Sequence, residues 1–180
     1  MKLKTICLLI LLFFSKSFSQ DIKKLENNNG FRSIKLGSEI RNYPNFIKKS
    51  EQNSKYFSPW FEYDYILNLK KENDFKKIGD AEILQILAKV YNNKIYQIQI
   101  VTEKDNEVIE MLETAYGKPN FDDIKADILG WRTESGIQCE VMGRAGGYSQ
   151  INIRYRDLNL ESLAQKKDTE EKKKKAISEF

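Results

Sequence analysis

Apolar and polar residues alternate along much of this chain, and a period of two with one apolar side is the pattern of a half-buried β-strand. In Trp60–Leu69, Phe61, Tyr63, Tyr65, Leu67 and Leu69 alternate with Trp60, Glu62, Asp64, Ile66 and Asn68. Two further runs, Ala81–Val90 and Lys94–Thr102, flank Tyr91-Asn92-Asn93. A two-residue Asn-Asn turn would set Leu84 against Val101 and Ala88 against Gln97, which mixes the faces. A three-residue loop sets Leu84 against Ile100, Ile86 against Ile98 and Ala88 against Tyr96, so the pattern predicts the longer loop.

The second half repeats the logic. Leu129, Trp131 and Thr133 face Ile137, Cys139 and Val141 across Glu134-Ser135-Gly136, a loop ending in the glycine that a bulged hairpin needs. This places Trp131 opposite Cys139. A five-residue loop, Gly143–Gly147, then sets Ile151 opposite Cys139 and Ile153 opposite Ile137. The other face of these strands reads Arg132, Glu134, Gln138, Glu140, Gln150, Asn152, Arg154 and Arg156, and is expected to be wet.

Helical periodicity is rarer. Val108, Met111, Leu112 and Ala115 form one stripe, capped by Asp105 or Thr102, with Glu107 and Glu110 in its first turns and Gly117 and Pro119 stopping it. This helix is expected to cover one face of the sheet. A shorter candidate starts at Ser38 and breaks at Pro44. Before it, Phe31, Ile34 and Leu36 lead from Gly30 to Gly37 as an extended segment. The prediction is an α+β domain: an antiparallel sheet of about six strands from two helix-plus-three-strand units, residues 30–102 and 103–157. The exits of the two helices are alike, Tyr43-Pro44-Asn45-Phe46 beside Tyr116-Gly117-Lys118-Pro119-Asn120-Phe121. Residues 166–180 carry many charges and almost nothing apolar, as a solvated helix end or disordered tail does.

The N-terminus changes the picture. Met1, Lys2 and Lys4 lead into an apolar run from Ile6 to Phe14, then a polar stretch with Ser17 and Ser19 before Gln20. This is the form of a cleavable secretory signal over residues 1–19, with the folded domain at 20–165. The apolar run is about half the length that a bilayer core of ~30 Å requires, so stable membrane insertion after cleavage is not expected. The whole chain has 30 basic and 26 acidic residues; Lys2, Lys4 and Lys16 leave with the signal and no acid does, so the remainder carries about +1. A near-neutral domain offers no electrostatic case for nucleic acid. Cleavage also removes Cys7, leaving Cys139 without an internal disulfide partner. The chain has no histidine, which removes the usual general base and the commonest zinc ligand. No cofactor is implied, and the expected location is periplasmic or extracellular.

Two tandem helix-plus-hairpin units in an exported chain resemble the β-lactamase-inhibitor protein fold, and each unit singly resembles the small outer-membrane assembly lipoproteins. The segments that carry this are Ile34-Lys35-Leu36-Gly37-Ser38-Glu39, Tyr116-Gly117-Lys118-Pro119 and the aromatic strand at Trp131. They are also similar to exported bacterial proteins of unknown function that carry an apolar-Lys-apolar-Gly opening and Tyr-Gly-Lys-Pro after a helix. The chain departs from the lipoproteins in having no lipobox cysteine. The resemblance implies protein binding through a sheet face or loops, without catalysis.

Candidate chemistry is sparse. Glu62 and Asp64 share a strand face, where two carboxylates can do acid–base work or hold a cation, or can simply be solvated beside Lys89. Cys139 as a nucleophile would need a base, whereas its parity with Trp131 places it in the core. Gly143-Arg144-Ala145-Gly146-Gly147-Tyr148-Ser149 leads into a strand rather than a helix, so it fits a hairpin loop and not a phosphate loop. Trp60 shares the polar side with Gln97 and Gln99. These residues, with Arg144 and Tyr148, make the expected partner-binding surface of a non-catalytic module that recognises an envelope or extracellular protein. The rival expectations are a small-ligand carrier and a hydrolase using Glu62 and Asp64.

Overall fold

Long β-branched and aromatic runs set the strands. In the computed structural model, which describes residues 22–51, 62–105, 107–143 and 149–178, the architecture is α+β with antiparallel pairing throughout. A hairpin of β1 (Gly30–Phe31) and β2 (Ile34–Lys35) stands apart from the main sheet. The main sheet is built from β3 (Phe46–Lys48), β4 (Tyr65–Leu67), β5 (Lys77–Ile78), β6 (Ala81–Tyr91), β7 (Lys94–Glu103), β8 (Phe121–Asp123), β9 (Ile128–Arg132), β10 (Ile137–Met142) and β11 (Gln150–Asp157). Its order is β3-β4-β6-β7-β11-β10-β9-β8, with β5 paired to β6.

The sheet therefore has nine strands, not the six expected. The six anticipated segments are β4, β6, β7, β9, β10 and β11, but of the expected strand Trp60–Leu69 only Tyr65–Leu67 is strand among the described residues: Glu62 and Asp64 precede it and Leu69 begins a 3-10 turn. The additions, β3, β5 and β8, have only two or three residues each, too short to display a period. Each half of the order is a run of sequence neighbours, and the halves meet where β7 pairs with β11. Tyr43-Pro44-Asn45-Phe46 leads into β3 and Tyr116-Gly117-Lys118-Pro119-Asn120-Phe121 into β8, the two outermost strands.

The β6–β7 hairpin corrects the predicted loop. Tyr91 pairs with Lys94 across a two-residue turn, and Asn92 and Asn93 take φ values of 48° and 64°. That is the left-handed pair a tight hairpin turn requires, which asparagine tolerates well. The face mixing that argued against this turn is removed by a bulge. Val90 pairs with Ile95 but Lys89 pairs with Gln97, so Tyr96 is the extra residue on β7. Beyond it, Ala88 meets Ile98 and Ile86 meets Ile100.

The second meander keeps its predicted faces. Trp131 lies opposite Cys139, Leu129 opposite Val141, and Gly136 takes a φ of 91° in the three-residue loop. The β10–β11 pairing differs: Cys139 meets Tyr155 and Val141 meets Ile153, four residues along β11 from the expected register. Four is even, so no side chain changes face. Gly130 is required by close approach: a Cβ there would lie 2.2 Å from the Phe121 ring and 2.7 Å from the Cys139 carbonyl oxygen.

Three helices complete the described chain: α1 (residues 22–28), α2 (Glu107–Tyr116) and α3 (Leu158–Ser178). Asp105 caps α2, its Oδ1 accepting from the Glu107 amide at 2.9 Å. The candidate helix at Ser38 is instead one 3-10 turn, Ile40–Asn42, and the extended segment before it is the β1–β2 hairpin. Leu25 of α1, Phe31 of β1, and Val108, Leu112 and Tyr116 of α2 share one core with Ile86, Ile98, Ile100, Ile153 and Trp131 of the sheet. Trp131 is fully buried, and its indole N–H donates to the Gly117 carbonyl at 2.7 Å. No helix among the described residues is long and apolar enough to cross a membrane.

Candidate functional site

The side of the sheet opposite this core carries most of the polar chemistry. Register places Lys89, Gln97 and Arg156 in one row across β6, β7 and β11, and Leu87, Gln99 and Arg154 in the next. On β10, Gln138 lies opposite Arg156 and Glu140 opposite Arg154. This face was expected to be wet, and at its centre it is not. Gln97 is 6 % exposed, Gln99 2 %, Gln138 1 % and Glu140 2 %.

A buried carboxylate is tolerated only when paired and hydrogen-bonded. Glu140 has both. Arg154 donates to its Oε1, Gln138 donates to its Oε2, and Arg156 Nη1 lies 3.6 Å from Oε2. Arg132 Nε donates to Gln138 Oε1 at 2.8 Å, and Gln99 Nε2 to Asn152 Oδ1 at 3.2 Å. The Arg154 and Arg156 side chains keep only 26 % and 21 % of their surface in solvent and cover the carboxylate beneath them. Arg156 also reaches α3: its Nε and Nη2 donate to Glu161 Oε2 at 2.8 and 2.5 Å. Sequence reading placed these polar residues on one face. Glu161, which ties α3 to that face, was missed: it lies between the last predicted strand and the charged tail at 166–180, in a stretch to which no element was assigned.

Of the predicted surface, Gln97 and Gln99 therefore lie within this polar layer. Trp60, Arg144 and Tyr148 fall outside the described residues, as do residues 1–21 with the predicted signal.

Glu62 and Asp64 are both exposed and differently occupied. Glu62, with its side chain 91 % exposed, accepts from Lys89 Nζ at 3.2 Å. Asp64 Oδ2 accepts from the Val90 amide at 2.8 Å, beside the bulge that resets the β6–β7 register. Its own backbone pairs with Ala88 and Lys49. Asp64 thus fastens β4's entry to a bulged strand.

Cys139 is fully buried between Trp131 and Tyr155 on the core side. Burial pushes its thiol well above the usual range, against the hydrogen bond with Tyr155, which acts the other way. The phenol of Tyr155 lies 3.2 Å from that of Tyr116, and burial raises both. A thiol held protonated is a poor nucleophile and a poor metal ligand. Among the described residues, no group of three or more Cys, Asp or Glu is placed to hold a metal ion. Compared with known proteins, the chain matches no family model, no curated protein and no solved structure.

Proposed function

We propose that this chain is an exported, non-catalytic interaction module of the cell envelope or medium, acting on a protein partner. The observation that supports it is the structural use of three groups that catalysis could otherwise employ. Asp64 fastens a bulge, Glu140 pairs with two arginines, and the Cys139 thiol is sealed in the core. The proposed contact surface comprises Trp60, Arg144 and Tyr148, residue types that interfaces favour. Gln97 and Gln99, which lie within the polar layer, complete the proposed surface. The two strand meanders meeting at β7–β11 are proposed to be copies of one helix-plus-strands unit, consistent with the matching segments that lead into β3 and β8.

The test is affinity capture with the full chain, tagged at its C-terminus and expressed in its native cell. Mass spectrometry of the captured chain is expected to find Gln20 at its N-terminus. A stoichiometric protein partner is expected to persist in moderate salt and to be lost on alanine substitution of Trp60, Arg144 or Tyr148, with thermal stability nearly unchanged. Retention of the leader would overturn export. Capture unaffected by all three substitutions would overturn the surface.

A further inference from the structure

We propose that α3 is a releasable strap, an occupant of the sheet's polar face held by polar contacts and not by a buried apolar stripe. The strap does not depend on the interaction reading. A helix of this length on a globular domain is ordinarily fixed by a hydrophobic stripe facing the core. None of the 21 residues of α3 is buried: Leu158, Leu160 and Ala164 are half-buried at its start, and Leu163 and Ile177 remain 47 % and 75 % exposed.

What does attach it is a short series of directed polar contacts. The Leu158 amide donates to the Gly136 carbonyl at 3.0 Å, and Asn159 Nδ2 donates to the Ser135 carbonyl at 2.9 Å. Arg156 grips Glu161 through two nitrogens. One turn and a half further on, Lys167 sits over the Tyr91 ring at 6.0 Å, so the helix spans from β11 to the end of β6. Past that point α3 carries its own support, with Lys167–Glu171 at 3.8 Å and Asp168–Lys172 at 2.7 Å along the helix.

The attachment is separable because the buried carboxylate of the sheet keeps its partners without it. Arg156 stays beside Glu140 at 3.6 Å, and Arg154 and Gln138 hold that carboxylate whether or not Glu161 is present. Losing α3 therefore strands no buried charge. The ionic grip weakens with salt, whereas the apolar core beneath the other face does not.

Hydrogen exchange of the full chain, read by mass spectrometry, tests this at roughly 0.01 M and roughly 1 M salt, where screening lengths are about 30 Å and 3 Å. High salt, and Glu161→Gln at low salt, are each expected to speed exchange over residues 158–167 by about tenfold or more. Exchange in β7 and β11 is expected to be unchanged. Lys167→Gln supplies an independent release at the far end. Protection of α3 that ignores salt and both substitutions would overturn the proposal. So would loss of α3 protection only together with that of the sheet, which would make the helix part of one cooperative unit.

Discussion

Glu140 shows how far a single residue can be read from its neighbours in sequence. Alternation along β10 placed it on the face away from Trp131 and Cys139, together with Arg154 and Arg156, and the register confirms that grouping. Its burial was not legible, because parity assigns a side chain to a face without stating what covers that face. Cys139 was the easier reading: apolar neighbours on both flanking strands leave a small thiol only one surrounding. Removing one partner of a buried ion pair costs roughly 3–5 kcal/mol, and the arginines here keep some solvent. Glu140→Ala is thus expected to lower unfolding stability by about 3 kcal/mol, the low end of that range. Glu62→Ala, at an open ion pair, should stay within about 0.5 kcal/mol. Urea titration of both variants against the parent chain checks the contrast. Equal losses would mean that burial does not distinguish these carboxylates.

Among the elements, strands within long alternating runs were legible, and isolated short strands and the bulge were not. The alternating runs of β6, β7, β9, β10 and β11 span five residues or more and display their period, whereas β3, β5 and β8 are set by pairing with a neighbour. The β6–β7 turn is more instructive. Asn92-Asn93 is a recognisable two-residue signal, yet the face-matching argument overruled it, because a bulge at Tyr96 leaves no mark in residue type. The left-handed backbone at Asn93 gives the turn a measurable signature. Asn93→Gly is expected to hold or raise the thermal midpoint. Asn93→Val should lower stability by about 1–2 kcal/mol, the cost of forcing a branched residue left-handed. A three-residue loop would need the left-handed conformation only at its last residue, Asn93, so calorimetry of Asn92→Val separates the two: a similar loss is expected for the two-residue turn and almost none for the longer loop.

For the whole molecule, the α+β class and antiparallel pairing followed from the strand patterns and the stripe of α2. The candidate site was less legible: its sheet residues were found, while their burial and their link to α3 depended on which elements come together. The core side has a consequence for pH. Burial raises Cys139, Tyr116 and Tyr155 above their ordinary values of 9.0 for the thiol and 10.0 for the phenols. A raised pKa means that the folded chain holds its proton where the unfolded chain has lost it. The resulting stabilisation is complete below the unfolded values and is lost as pH climbs towards the folded ones. Stability should accordingly fall progressively from about pH 9 upward, with Tyr96, raised to about 12, adding to the loss in the most alkaline range. Urea midpoints measured from neutral to strongly alkaline pH check this, and Tyr155→Phe should flatten the decline. A flat parent profile would sink the argument.

Eight strands laid side by side in an open sheet, with β5 attached to β6, invite a further strand from another molecule. Both ends of this sheet close on strands of three residues, β3 and β8, and β8 carries two consecutive aspartates. So short a ladder offers an incoming strand few backbone groups, and the paired negative charges at one end repel another copy of the same edge. Among the described strands, edge-to-edge growth is thus discouraged without closing the sheet into a barrel.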